Sequence, residues 1–206
     1  MTTLVGRDDE LARIGDALAS ARAARVATAL KVTGDPGAGK TALFHRIAED
    51  AAAANWLASA VDCHRIQSGL PFVTARRIAQ SFVDQLGDQR ERYAGGLDEA
   101  LKDAASVGEA LLRLTEGLLL DFSVLVAIDD AQWMDAESRE LLDQLMRSFS
   151  DRPLALALIE RSDEPGPLDV PAVTHNIALQ RLTPCCIHRT CARVCTRHRL
   201  PLVRVL

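Results

Sequence analysis

Hydrophobic and polar positions follow two rhythms along this chain, and they alternate in order. Five segments carry short apolar runs bounded by polar or turn residues: "ATALKVT" (27–33), "NWLASAVDC" (55–63), "FSVLVAIDD" (122–130), "RPLALALIE" (152–160) and, more weakly, "AVTHNIALQ" (172–180). Runs of this length without alternation read as strands buried on both faces. Between them apolar residues recur every three or four positions, the spacing of one helical face. Leu11, Ile14, Leu18 and Ala21 mark the first such helix, and Leu43, Phe44, Ile47, Ala48 and Ala51 the second. A third repeats Phe72, Ala75, Ile78, Ala79, Phe82 and Leu86, with Pro71 at its expected first position. A fourth starts at Ser106 with Glu109 in capping-box spacing, and a fifth is capped by Asp135. "GDQRERYAGGLDEA" (87–100) reads as a loop, and "SDEPGPLD" (162–169) as a linker. Strands alternating with helices imply an α/β fold, a mainly parallel five-stranded sheet covered on both faces. Ligands of such sheets bind beyond the carboxyl ends of the strands.

At the carboxyl end of the first strand stands "GDPGAGKT", which satisfies the phosphate-loop pattern G-x-x-x-x-G-K-[ST] at every position. Gly34, Asp35, Pro36, Gly37, Ala38 and Gly39 form the loop, whose backbone N–H groups turn inward to meet phosphate oxygens. Lys40 places an ammonium between the outer phosphates, and Thr41 offers a hydroxyl to Mg²⁺. A strand precedes the loop and a helix follows it, so phosphates meet unpaired N–H groups and the positive end of a helix dipole.

The third apolar run ends abruptly in Asp129 and Asp130. A carboxylate at the end of a buried strand beside a phosphate loop organises Mg²⁺, directly or through water, and Asp129 takes that role. Asp130 is the candidate base that orients an attacking water. Arg161, just after the next buried strand, lies where it can read the outer phosphate.

Composition narrows the partners. No apolar run approaches the roughly 18 residues that span a bilayer, and "MTTLVGRDDE" lacks the basic start and apolar core of a secretory leader. A cytoplasmic location is the default expectation. Aromatics make up only 4% of the chain, too few for a stacking platform on single-stranded nucleic acid. The net charge of −4 hides a division: all 28 acidic residues precede residue 170, with six of the 24 basic residues after that point. An acidic body of this kind argues against direct DNA binding.

Three segments, "LVGRDDELARI", "VTGDPGAGKTAL" and "VLVAIDDAQWMDAESRELLDQL", in this order resemble the ATPase module of the signal-transducing ATPases with numerous domains. The resemblance is strongest to bacterial LuxR-type regulators with a large ATP-binding region, within the wider AAA+ class, and it covers about residues 1–180. It implies a three-layer P-loop fold that binds ATP with Mg²⁺, switches conformation with nucleotide state and self-associates through the ATPase domain. It further implies that Val5, Gly6 and Arg7 approach the adenine, that Asp129 organises Mg²⁺, that Asp130 is the base and that Arg161 senses phosphate. Trp133 is expected to pack rather than react.

Those proteins continue into a lid domain, sensor repeats and a helix-turn-helix. No segment of this chain is expected to form a lid, so affinity and turnover should both be low. The expected division is residues 1–182 as the P-loop ATPase domain and 183–206 as a Cys/Arg-rich tail outside the fold. Cys191, Cys195 and His198, with Cys186 and His188 nearby, have spacings that a zinc site uses, but there is no Cys-x-x-Cys pair. The plainer reading is that the family sequence ends near Leu182 and unrelated coding follows, in a chain with 21 Arg and three Lys. The function expected is an ATP-binding, weakly hydrolysing regulatory switch, truncated from a larger regulator. A small kinase passing the γ-phosphoryl group to a metabolite is the alternative; acceptor-dependent ADP formation distinguishes it.

Overall fold

The computed structural model describes residues 6–164 and 173–181. Val5 and the residues after Arg181, with their candidate zinc ligands, lie outside the described residues. Helix α1 (Asp8–Ala24) leads into strand β1 (Thr28–Gly34), helix α2 (Lys40–Ala53) and strand β2 (Trp56–Asp62). Helix α3 (Val73–Leu86), two short helices α4 (Arg90–Ala94) and α5 (Leu97–Ala100), and the long helix α6 (Ala104–Asp121) follow. Strand β3 (Ser123–Asp129), helix α7 (Ala136–Ser148), strand β4 (Leu154–Arg161) and strand β5 (Val173–Leu179) complete the described fold.

The five strands form one parallel sheet in the order β2-β3-β4-β1-β5. This is the α/β fold with a five-stranded parallel sheet, covered on both faces, that the alternation of strands and helices predicts. Strand alternation sends successive residues to opposite faces, and both faces are apolar. On one face Val124, Val126, Ile128, Leu156 and Leu158 meet α3, α6 and α7, with Phe82, Leu111, Leu114 and Leu118 essentially inaccessible. On the other, Leu30, Val32, Leu125, Ala157 and Ile159 meet α1 and α2 through Ile14, Leu18, Leu43 and Ile47. β4 lies between β1 and β3, so its end separates the phosphate loop from the end of β3. Among the described residues no helix is long and apolar enough to cross a membrane.

Three expectations need correction. Helix α3 begins at Val73, not Pro71, because Phe72 adopts a left-handed conformation (φ 59°) and donates its N–H to the Asp135 carboxylate at 2.9 Å. Helix α6 begins at Ala104, capped by Asp103, whose carboxylate accepts the Ala105 N–H. The Ser106 hydroxyl donates to that same carboxylate, and Glu109 pairs with Arg113, so the Ser106–Glu109 capping box does not form. The segment 87–100 is no simple loop: α4 and α5 bury Ala94 and Leu97 against the core. Helices of five and four residues fall below what periodicity resolves.

Candidate functional site

The loop joins β1 to α2 at the carboxyl edge of the sheet. Gly39 is the N-cap of α2 with φ 87°, a left-handed conformation natural to glycine, and it has no side chain to cap the helix. The first N–H groups of α2, from Lys40 to Ala42, therefore have no partner within the helix. They converge with the helix dipole on the space in front of the loop, which fits an anion. Gly34 suits its place for a different reason. A Cβ there would stand 3.0 Å from Leu179 Cβ and 3.2 Å from the Leu179 carbonyl oxygen, so any side chain at this position would have to push β5 back by a few tenths of an ångström.

Lys40 is buried, and its ammonium donates to the Gly34 and Asp35 carbonyls at 2.9 and 3.0 Å. Asp35 extends outward, accepting the Ser162 hydroxyl at 2.5 Å and lying 3.8 Å from the Arg181 guanidinium. The Ser162 N–H also donates to the Gly34 carbonyl. The loop is thereby braced by the residues that follow β4 and β5.

Asp129 ends β3 with 4% of its surface exposed, and alternation turns its side chain to the face that α2 covers. There it lies near Thr41, whose hydroxyl favours the charged form of the Asp129 carboxylate. Burial, the largest influence, pushes the Asp129 carboxyl above the ordinary aspartate range, and the adjacent Asp130 charge adds to this. The Thr41 hydroxyl, the Asp130 N–H at 3.0 Å and the Lys40 charge oppose the rise without cancelling it. A hydroxyl and a carboxylate side by side, in front of an uncapped helix, form a hard-oxygen donor set that fits Mg²⁺ bound to phosphates.

Asp130 leaves the strand in a left-handed conformation (φ 50°) and starts a 3₁₀ turn over Ala131–Trp133. Its carboxylate accepts the Gln132 side-chain amide N–H at 3.0 Å, and the Gln132 side-chain oxygen Oε1 accepts the Arg161 backbone N–H at 3.3 Å. Gln132 thus bridges the end of β3 to the end of β4, a role with no signature in its residue type. Arg161 lies beside Gly34 in the strand register, and its guanidinium pairs with Asp163 at 2.8 Å. Trp133 packs, with the Arg65 guanidinium 5.1 Å from its ring centre.

Gly6 and Arg7 stand at the start of α1. Arg7 is 3% exposed and donates to the carbonyls of Ala38 and Gln180, so it touches the phosphate loop itself. Behind these groups, Asp135 accepts N–H bonds from Phe72, Thr74 and Ser138 at 2.9 to 3.0 Å, capping α7 and fixing the entry to α3 together. Asp135 caps α7 as its position in the sequence predicts, but its bonds to Phe72 and Thr74, the Asp35–Ser162 bond and the Gln132–Arg161 bond join residues far apart in sequence, which no local pattern announces.

A family model described as "AAA ATPase domain" matches residues 3–159. No curated protein matches the chain. Among solved structures, the Orc1 protein of Aeropyrum pernix, solved in complex with DNA, superposes with a TM-score of 0.59 at 18% identity, covering 95% of this chain and 50% of that one. AMPPCP-bound DnaA from Aquifex aeolicus gives 0.51 at 12% identity, covering 99% of this chain and 55% of that one. The RuvB Holliday junction branch migration motor of Thermotoga maritima gives 0.50 at 16% identity, covering 94% and 52%. The chain spans about half the length of these structures, and at these identities the likeness is one of fold.

Proposed function

The chain belongs to the AAA ATPase domain family, and from this we propose that it binds ATP with Mg²⁺ and acts as a nucleotide-controlled switch that hydrolyses ATP slowly. The observation that carries the reading is the junction of three groups: the uncapped start of α2, the Lys40 ammonium and the Thr41–Asp129 pair. The loop N–H groups and Lys40 bind the β- and γ-phosphates. Thr41 and Asp129 hold Mg²⁺, which neutralises charge on those phosphates. Asp130, oriented by Gln132, accepts a proton from the attacking water. Arg161, on the loop side of the sheet, leaves Asp163 to contact the outer phosphate.

The LuxR-type regulator identity rests on the order of the three sequence segments, and the switch role follows from it. On that reading residues 1–182 are the ATPase unit, the protein is cytoplasmic, and it associates with itself through the ATPase domain. Calorimetric titration of the full chain with ATP·Mg²⁺ tests the reading. One saturable site, weakened tenfold or more (about 1.4 kcal/mol) by Lys40→Ala, supports it. Equal affinity of the two proteins removes it.

A further inference from the structure

Arg7 is a buried cation that the periodicity of α1 does not require, since its backbone serves only as N-cap to that helix. Its guanidinium joins its own helix to two distant pieces of chain. Nη1 donates to the Glu10 carboxylate at 2.7 Å, while Nη2 donates to the Ala38 carbonyl at 2.7 Å and to the Gln180 carbonyl at 2.5 Å. Both Nη2 protons are therefore committed to backbone oxygens, and charge-assisted bonds of this kind are the strong ones.

The bond to Ala38 has a geometric consequence. The peptide unit joining Ala38 to Gly39 is planar and trans, so its N–H points opposite to its carbonyl. Drawing the Ala38 oxygen toward Arg7 turns the Gly39 N–H away from Arg7. Gly39, at φ 87°, has no side chain to hold that plane by packing, so the external bond is what fixes it.

We infer that Arg7 is a positioning residue for triphosphate binding: it sets the Ala38–Gly39 peptide plane, and through Gln180 it ties the loop's shape to the end of β5. The inference rests on the ATP reading above and differs from a contact between Arg7 and the base. A positioning role acts on anything that carries the phosphates, whereas a base contact acts only on nucleotides.

The test titrates the full chain and its Arg7→Lys and Arg7→Gln variants with ATP, GTP and inorganic tripolyphosphate, each with Mg²⁺. A lysine keeps the charge but cannot fork between two carbonyls and a carboxylate in the same plane. The expected result is a loss of about tenfold or more for all three ligands by the same factor, with the ratio of ATP to GTP affinity unchanged. Amide hydrogen exchange across residues 37–40 of the ligand-free variants should quicken as well. Tripolyphosphate affinity left intact while ATP affinity falls overturns the inference in favour of a base contact. Variants that both fail to fold by circular dichroism overturn it in favour of a purely structural strut. Wild-type protein that binds none of the three removes the ATP reading and this inference with it; wild-type binding matched by both variants removes this inference alone.

Discussion

Thr41, in the first turn of α2, lies close enough to Asp129 at the end of β3 for its hydroxyl to favour the carboxylate's charged form, and the two strands that lead to these residues are separated by β4. Two parts of the chain almost ninety positions apart thus supply one pair of oxygen donors. Asp129 is held there at a disadvantage. Burial and the neighbouring Asp130 charge raise its pKa, so ionising it in the folded protein is harder than in the unfolded chain. Stability from such a group is full below the unfolded pKa and is lost as pH rises through the folded one. Asp129→Asn is therefore expected to raise the melting temperature of the ligand-free protein at pH 7, with the gain shrinking toward pH 4. Thermal melts at the two values check this. A variant less stable than wild type at pH 7 contradicts the sign.

Asp135 has the opposite linkage. Burial alone would raise its pKa, but the Thr74 and Ser138 N–H donors more than offset this and hold the carboxyl below the ordinary range. Its contribution is present above the unfolded pKa and disappears as pH falls through the folded one. Asp135→Ala leaves three N–H groups of two helix starts without their acceptor. A loss of about 3 kcal/mol at pH 7 is expected, from a lost cap and unsatisfied donors. Urea unfolding at pH 7 and pH 3 should show the gap between variant and wild type narrowing in acid.

Much of this architecture was legible in the chain. All five strands, the phosphate loop and the Asp129–Asp130 end of β3 follow from apolar runs, one motif and an abrupt change to acid. The strand order was not legible, because every buried strand here carries the same apolar signal. Nor were contacts that depend on packing: the Arg7 bond to Gln180 joins residues 173 positions apart. The start of α3 was misplaced for a similar reason. Pro71 satisfies a local rule, but Asp135, brought in by α7, pins Phe72 in a conformation that delays the helix. In the 87–100 segment, polar composition concealed two short helices that bury Ala94 and Leu97 and pack Tyr93 and Ala100 against the core.

Variants at Asp130 and Gln132 test the proposed chemistry apart from binding. Asp130 takes no part in the Thr41–Asp129 pair through its side chain, which instead accepts the Gln132 amide. Asp130→Asn should leave ATP affinity within about twofold and lower single-turnover hydrolysis roughly a hundredfold, the usual scale for a general base. Gln132→Leu removes the group that orients Asp130 and should lower the same rate with affinity little changed. Hydrolysis by Asp130→Asn at the wild-type rate would show that Asp130 is no base and that the chain binds nucleotide without acting on it.

The most direct test of the Thr41–Asp129 pair as an ATP·Mg²⁺ site is the calorimetric affinity for ATP with Mg²⁺ and with EDTA, in wild type and in Asp129→Asn. The pair should make wild-type binding tenfold or more tighter with the metal, about 1.4 kcal/mol. In Asp129→Asn that increment should vanish while the metal-free affinity holds, because the loop and Lys40 remain. A wild-type affinity indifferent to Mg²⁺, or an increment that survives in Asp129→Asn, contradicts the account.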